Sequence, residues 1–68
     1  MNVVVNGDET TLSAGATVAD VVASLGRAPS SLGVAVAVNG EVVPRAEWSS
    51  TQVSDRDRIE VLSAAQGG

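Results

Sequence analysis

The sequence contains no cysteine, no histidine and no lysine, and Trp48 is its one aromatic residue. Without cysteine there is no disulfide, no thiolate metal site and no thiol nucleophile. Without histidine the usual imidazole base and ligand are also excluded. A site for a cation built from carboxylates alone would need several converging oxygens. Asp55 and Asp57 flank a turn, but no further ligands accompany them, so no metal site is expected. No apolar run approaches the ~20 residues of a membrane span. Met1 leads straight into a strand-like pattern rather than a basic segment and apolar stretch, so no signal peptide is expected and the cytoplasm is the expected location. Four arginines against eight acids leave a net charge of −4, which argues against nucleic acid and anionic membrane surfaces as partners.

What is present is aliphatic. Sixty-eight residues make one domain, and a chain of that size buries only about 60% of its unfolded surface. With nothing to staple it, packing must hold the fold, and thirteen valines supply most of the material.

The spacing of those valines predicts the elements. In MNVVVNGDETTLS, Val3 and Val5 alternate with Val4, which is strand spacing, and Asn6-Gly7 is a favoured two-residue hairpin turn. In ATVADVVASLG, Val18, Val21, Val22 and Leu25 form one face of a helix. Thr17 is placed as its N-cap with Asp20 three residues on, Gly26 stops it, and Pro29 prevents continuation. GVAVAVNGEVVP reads as a second hairpin about Asn39-Gly40, with Val34, Val36 and Val38 on one face, Ala35 and Ala37 on the other, and Pro44 ending the return strand. A helical turn is expected near residues 46–49. RIEVLS is the last strand, with Ile59 and Val61 on one face and Glu60 and Leu62 on the other. If that strand lies parallel to the first, the helix crosses the sheet and all elements share one core. The expected fold is therefore α+β: a β-grasp (ubiquitin-like) domain over residues 1–63, with a mixed sheet of four to five strands on one main helix.

The sequence closes on AAQGG. A chance Gly-Gly ending has a probability of roughly half a per cent at average glycine usage. Residues 64–68 are either a scar or frayed end or a functional tail, and the family resemblance described next implies the second, a flexible, reactive C-terminal tail. A C-terminal carboxyl is an anion at neutral pH, and glycine sets no Cβ beside it. Five extended residues reach at most ~18 Å, enough to thread a partner's channel.

Taken together, VVVNGDE, GATVADVVASLG, GVAVAVNGEVVPRAEW and DRIEVLSAAQGG resemble the ThiS family, the sulfur carrier proteins of thiazole (thiamine) biosynthesis. The resemblance covers almost the whole length in order, and is most specific in residues 38–48 combined with Gln66-Gly67-Gly68. It implies that the Gly68 carboxylate is adenylated with ATP and magnesium inside a ThiF-like adenylyltransferase. A sulfur donor such as a cysteine desulfurase persulfide then converts it to a thiocarboxylate, and the sulfur passes to a ThiG-like thiazole synthase. Ala65, Gln66 and Gly67 would be the thread that enters the partner. The resemblance implies no intrinsic cofactor, and a stoichiometric co-substrate rather than an enzyme. Other readings within this fold are the small subunit of molybdopterin synthase, another thiocarboxylate carrier, a covalent protein modifier, or an interaction module with an inert tail.

Four further expectations can be read. Trp48 caps the core. Arg45 either pairs with acids, a partner's or the neighbouring Glu47, or has a solvated structural role. Arg56 stands where the family usually carries glycine in an Asp-Gly-Asp turn, so a positive φ there would cost about 1 kcal/mol or more. Val4, Ala35, Ala37 and Leu62 fall on the sheet face opposite the helix, and are candidates for an apolar partner interface with Glu41 and Glu60 as its acidic rim.

Overall fold

The computed structural model describes residues 1–26 and 33–63. The stop expected at Pro29 and the tail residues Ala65, Gln66, Gly67 and Gly68 lie outside them. Both Asn-Gly pairs form the expected turns. φ is 51° at Asn6 and 85° at Gly7, and 51° at Asn39 and 86° at Gly40, the positive values that type I′ geometry requires. The first turn joins β1 (Asn2–Val5) to β2 (Asp8–Thr11), and the second joins β3 (Val34–Val38) to β4 (Glu41–Val43).

Between the hairpins runs α1 (Val18–Ser24), seven residues long. An isolated helix of that length is not stable in water, so its ends and its buried face must hold it. At the N-terminus the backbone N–H of Asp20 donates to Thr17 Oγ1 at 3.3 Å, and that of Thr17 donates to Asp20 Oδ2 at 2.9 Å. This is the reciprocal capping box. The next free donors are met by the connection that follows β4: Val18 N–H donates to the Thr51 carbonyl and Ala19 N–H to that of Trp48, at 2.9 and 3.1 Å. At the other end Gly26 takes φ 78°. Leu25, expected on the buried face, is instead 43% exposed. It sits at the C-cap with φ −89° and ψ 9°, past the last helical residue, so its side chain no longer follows the helical stripe.

A 3₁₀ turn at Arg45–Glu47 follows Pro44, starting one residue and ending two residues earlier than the spacing suggested, and β5 (Arg58–Ser63) is the last of the described elements. The sheet has five strands in the order β2-β1-β5-β3-β4. β5 lies between the two hairpins, parallel to β1 and antiparallel to β3. A mixed sheet crossed by one helix in this order is the β-grasp arrangement expected from the sequence.

The core is mostly valine. Val18, Val21 and Val22 of the helix are fully buried against Val3, Val5, Val36, Ile59 and Val61 of the sheet. Each such side chain contributes about 1.5–3 kcal/mol relative to exposure. Trp48 closes one end as expected, 2% exposed, with its indole N–H donating to the Val43 carbonyl at 2.9 Å. The Arg45 guanidinium lies 4.8 Å over the Trp48 ring, a cation–π contact.

Candidate functional site

β5 carries the chain toward its end, and its edges show how it is held. On one side it pairs with β3 along its length, from Val38↔Ile59 to Val34↔Ser63. On the other it pairs with β1 only at Val4↔Arg58 and Val5↔Ile59, because β1 then turns back. Asn6 takes over from there. Its backbone N–H donates to the Ile59 carbonyl at 2.9 Å. Its side-chain Oδ1 accepts from Val61 N–H at 2.8 Å, and its Nδ2 donates to the Val61 carbonyl at 3.2 Å. Asn39 does the same at the start of the strand. Its N–H donates to the Arg58 carbonyl at 2.7 Å, its Oδ1 accepts from Arg58 N–H at 2.9 Å, and its Nδ2 donates to Asp57 Oδ1 at 3.0 Å. Each turn asparagine therefore pins one end of β5, a role that turn chemistry alone does not reveal.

The corner before β5 is built on Arg56, which does take a positive φ, 70°. Its N–H donates to the Asn2 carbonyl at 2.6 Å, and Asn2 N–H donates to Asp55 Oδ1 at 2.7 Å, so the corner closes the start of β1. Asp57 Oδ2 accepts from Ser54 N–H at 2.7 Å. Both aspartates thus serve the turn. Among the described residues no group of three or more His, Cys, Asp or Glu side chains is placed to hold a metal ion.

The face of the sheet away from the helix carries the other candidates, and strand order regroups them. Ala35 lies opposite Leu62, and Ala37 opposite Glu60 on one side and Val42 on the other. These residues line one shallow groove of about 120 Å³. Leu62 is 67% and Val42 75% exposed. Val42 belongs to this surface although the alternation Ala35/Ala37 did not single it out; its pairing with Ala37 is the signal that places it there. Val4 is on the same face but not in the groove. It pairs with Arg58 and with Glu9, and Arg58 is four residues, about 13 Å, from Leu62 along β5. Glu60 borders the groove as expected. Glu41 does not: it pairs with Val38, whose side chain packs on the core, so the pleat turns Glu41 to the helix side.

No polar or charged side chain is buried among the described residues, and no helix among them is long and apolar enough to cross a membrane. The outer-face groove lies beside the last residues of β5, with Leu62 in its lining.

Comparison with known proteins agrees with this geometry. Over residues 3–68 the chain matches the sequence model of the ThiS family. It is 37% identical over 68 residues to a protein of Paramagnetospirillum magneticum named thiazole synthase; the match takes in all of this chain and 20% of that protein. The chain thus spans one fifth of that relative's length. The crystal structure of the thiamine biosynthesis protein ThiS from Geobacter metallireducens superposes with a TM-score of 0.78 at 34% identity, covering 93% of each chain. The solution structure of a thiamine biosynthesis protein from the same organism gives 0.75 at 34% identity, covering 91% of this chain and 81% of that one. With the fold, the turn positions and nearly every residue of the sequence accounted for by one family, this chain belongs to the ThiS family.

Proposed function

We propose that this chain is the sulfur carrier of thiazole formation in thiamine biosynthesis, acting through the α-carboxylate of Gly68. The observation that carries the reading is the family match, which runs through the terminal Gly67-Gly68 pair. The relative named thiazole synthase, one fifth of which corresponds to this chain, supports that enzyme as the recipient of the sulfur. The carboxylate, ionised at neutral pH, attacks the α-phosphorus of ATP in a ThiF-like adenylyltransferase, and pyrophosphate leaves. A persulfide then attacks the acyl carbon and displaces AMP, giving an acyl disulfide, and a thiol attacks the donor's sulfur in that disulfide, forming a new disulfide with it and releasing the thiocarboxylate. ATP and magnesium belong to the partner. The carrier is consumed and recharged in each cycle, in the cytoplasm, and is not itself the enzyme. Ala65, Gln66 and Gly67 form the thread, and the groove of Ala35, Ala37, Val42 and Leu62 docks the domain.

The missing cysteines make the test direct. The protein is incubated with its host's adenylyltransferase, ATP, magnesium and a sulfur donor, treated with a thiol-alkylating probe, and weighed intact. An adduct on the full chain that a Gly68-deleted chain does not form is the expected result. No adduct with a demonstrably active adenylyltransferase refutes the reading.

A further inference from the structure

We propose that Asn39-Gly40 is a site of spontaneous covalent modification, deamidation through a succinimide, and that the fold sets its rate through what holds the Asn39 amide. The inference stands on the two Asn-Gly turns and is independent of the carrier reading. An Asn-Gly pair is the sequence most open to this reaction, because glycine sets no side chain beside the attacking nitrogen. The Gly40 backbone nitrogen gives its proton to hydroxide and attacks Asn39 Cγ. A carbon–nitrogen bond forms, the bond from Cγ to Nδ2 breaks, and ammonia leaves with a proton taken from water. Water then opens the five-membered ring at either carbonyl carbon, leaving aspartate or isoaspartate at position 39. Nothing is oxidised or reduced, and water is the co-reactant.

The chain carries two such pairs in nearly the same context, Val5-Asn6-Gly7-Asp8 and Val38-Asn39-Gly40-Glu41, so their intrinsic rates are expected to match. In the fold both are restrained. Each asparagine has φ 51°, and the left-handed geometry of a type I′ turn carries the next nitrogen away from the side chain. Each amide is also bonded through both its oxygen and its nitrogen, so ring closure requires local opening. The restraints differ in kind. Asn6 is held in partly buried bonds by the N–H and carbonyl of Val61, backbone groups that β3 keeps in place from the other side. Asn39 is held in exposed bonds, by Arg58 N–H and by the side-chain oxygen of Asp57, where water competes. Its hairpin is also the shorter, with three paired positions between β3 and β4 against four between β1 and β2. Asn39 therefore opens first. The product disturbs the turn: aspartate at position 39 keeps the acceptor for Arg58 N–H but sets a carboxylate oxygen against Asp57 Oδ1, where an amide N–H donated at 3.0 Å. Like charges so placed repel. Isoaspartate lengthens the main chain of the two-residue turn by one carbon.

Cleavage after arginine puts the two pairs on separate peptides, residues 1–27 and 28–45, so one mass-spectrometric time course reads both as the mass change of amide to acid. The full chain is aged in mildly alkaline buffer, folded and in denaturant. In denaturant both pairs are expected to convert at one rate. In the folded chain Asn39 is expected to convert roughly thirtyfold more slowly than in denaturant, the factor for two net hydrogen bonds, because the rate follows the open fraction. Asn6 is expected to be about fivefold slower again, for its better shielded partners. Asp57→Ala removes one of the two holds on Asn39 and is expected to speed its conversion about fivefold, with Asn6 unchanged. If that variant does not fold, both peptides convert at the denaturant rate, and the wild-type comparison carries the test. Conversion of Asn39 in the folded chain at its denaturant rate, or no faster than Asn6, overturns the proposal. An unchanged Asn39 rate in folded Asp57→Ala overturns the part given to the Asp57 bond.

Discussion

The regrouping of the outer face yields a prediction that separates the groove from the rest of the sheet. Leu62 is 67% exposed, so docking in the groove has about two-thirds of its side chain left to bury. Fully burying a leucine is worth about 1.5–3 kcal/mol; two-thirds of that is about 1–2 kcal/mol, or about 5- to 30-fold in affinity. Leu62→Ala is therefore expected to raise the KM for carrier in the adenylyltransferase reaction by that factor with kcat unchanged, the pattern of an interaction present equally in ground and transition states. Stability is expected to stay within about 0.5 kcal/mol, as for other exposed positions, measured by urea unfolding with Trp48 fluorescence as the probe. Val4→Thr, of similar shape and about 13 Å from Leu62 along the sheet, is the internal comparison and is expected to leave KM unchanged. An unchanged KM in Leu62→Ala would refute the groove as the docking surface. An equal rise in both variants would show that the contact spans the whole face and that the grouping by strand register is wrong.

Three further outcomes follow from the fold. Thr17→Ala removes the hydroxyl side of the capping box and is expected to cost about 1 kcal/mol, seen as a lower urea midpoint at unchanged slope. Trp48→Phe keeps most of the buried ring but leaves the Val43 carbonyl without its indole donor; a loss of about 2 kcal/mol should lower Tm by about 8–16 °C in a domain this small, read by circular dichroism. Arg56→Gly relieves a left-handed residue whose side chain is 92% exposed and lies 3.8 Å from Asp55; strain relief of about 1–2 kcal/mol, less the extra entropy of an unfolded glycine, should leave the domain about 0.5–1 kcal/mol more stable.

Much of the fold was legible because its local signals agree. Asn-Gly at both turns, a capping box at Thr17 and Asp20, and strict alternation in Val34–Val38 each dictate an element without reference to the rest of the chain. Leu25 misled because periodicity continues past the point where the helix stops. The outer face was legible only by halves. Alternation tells which side of the sheet a residue faces, so Ala35, Ala37 and Leu62 were found; it does not tell which strands are neighbours. Val4 was therefore grouped with residues it does not adjoin, Val42 was passed over, and Glu41 was assigned to the wrong side. The clamps of Asn6 and Asn39 had no local signal at all. Both residues already satisfy the turn, and their partners on β5 are 55 and 19 residues away.

The strand order has a consequence for how the protein is made. β5, the last of the described strands in chain order, is the middle of the sheet, and the two hairpins share no direct partner until it is inserted between them. Neither hairpin with its helix has a complete core, and two-stranded hairpins are marginal in water. A chain interrupted before Arg58 therefore stays open to proteases, and folding waits for the closure of a contact that spans nearly the whole sequence, which slows it. The sheet is in effect conditional on one strand: its two halves become a single domain only once β5 has been made.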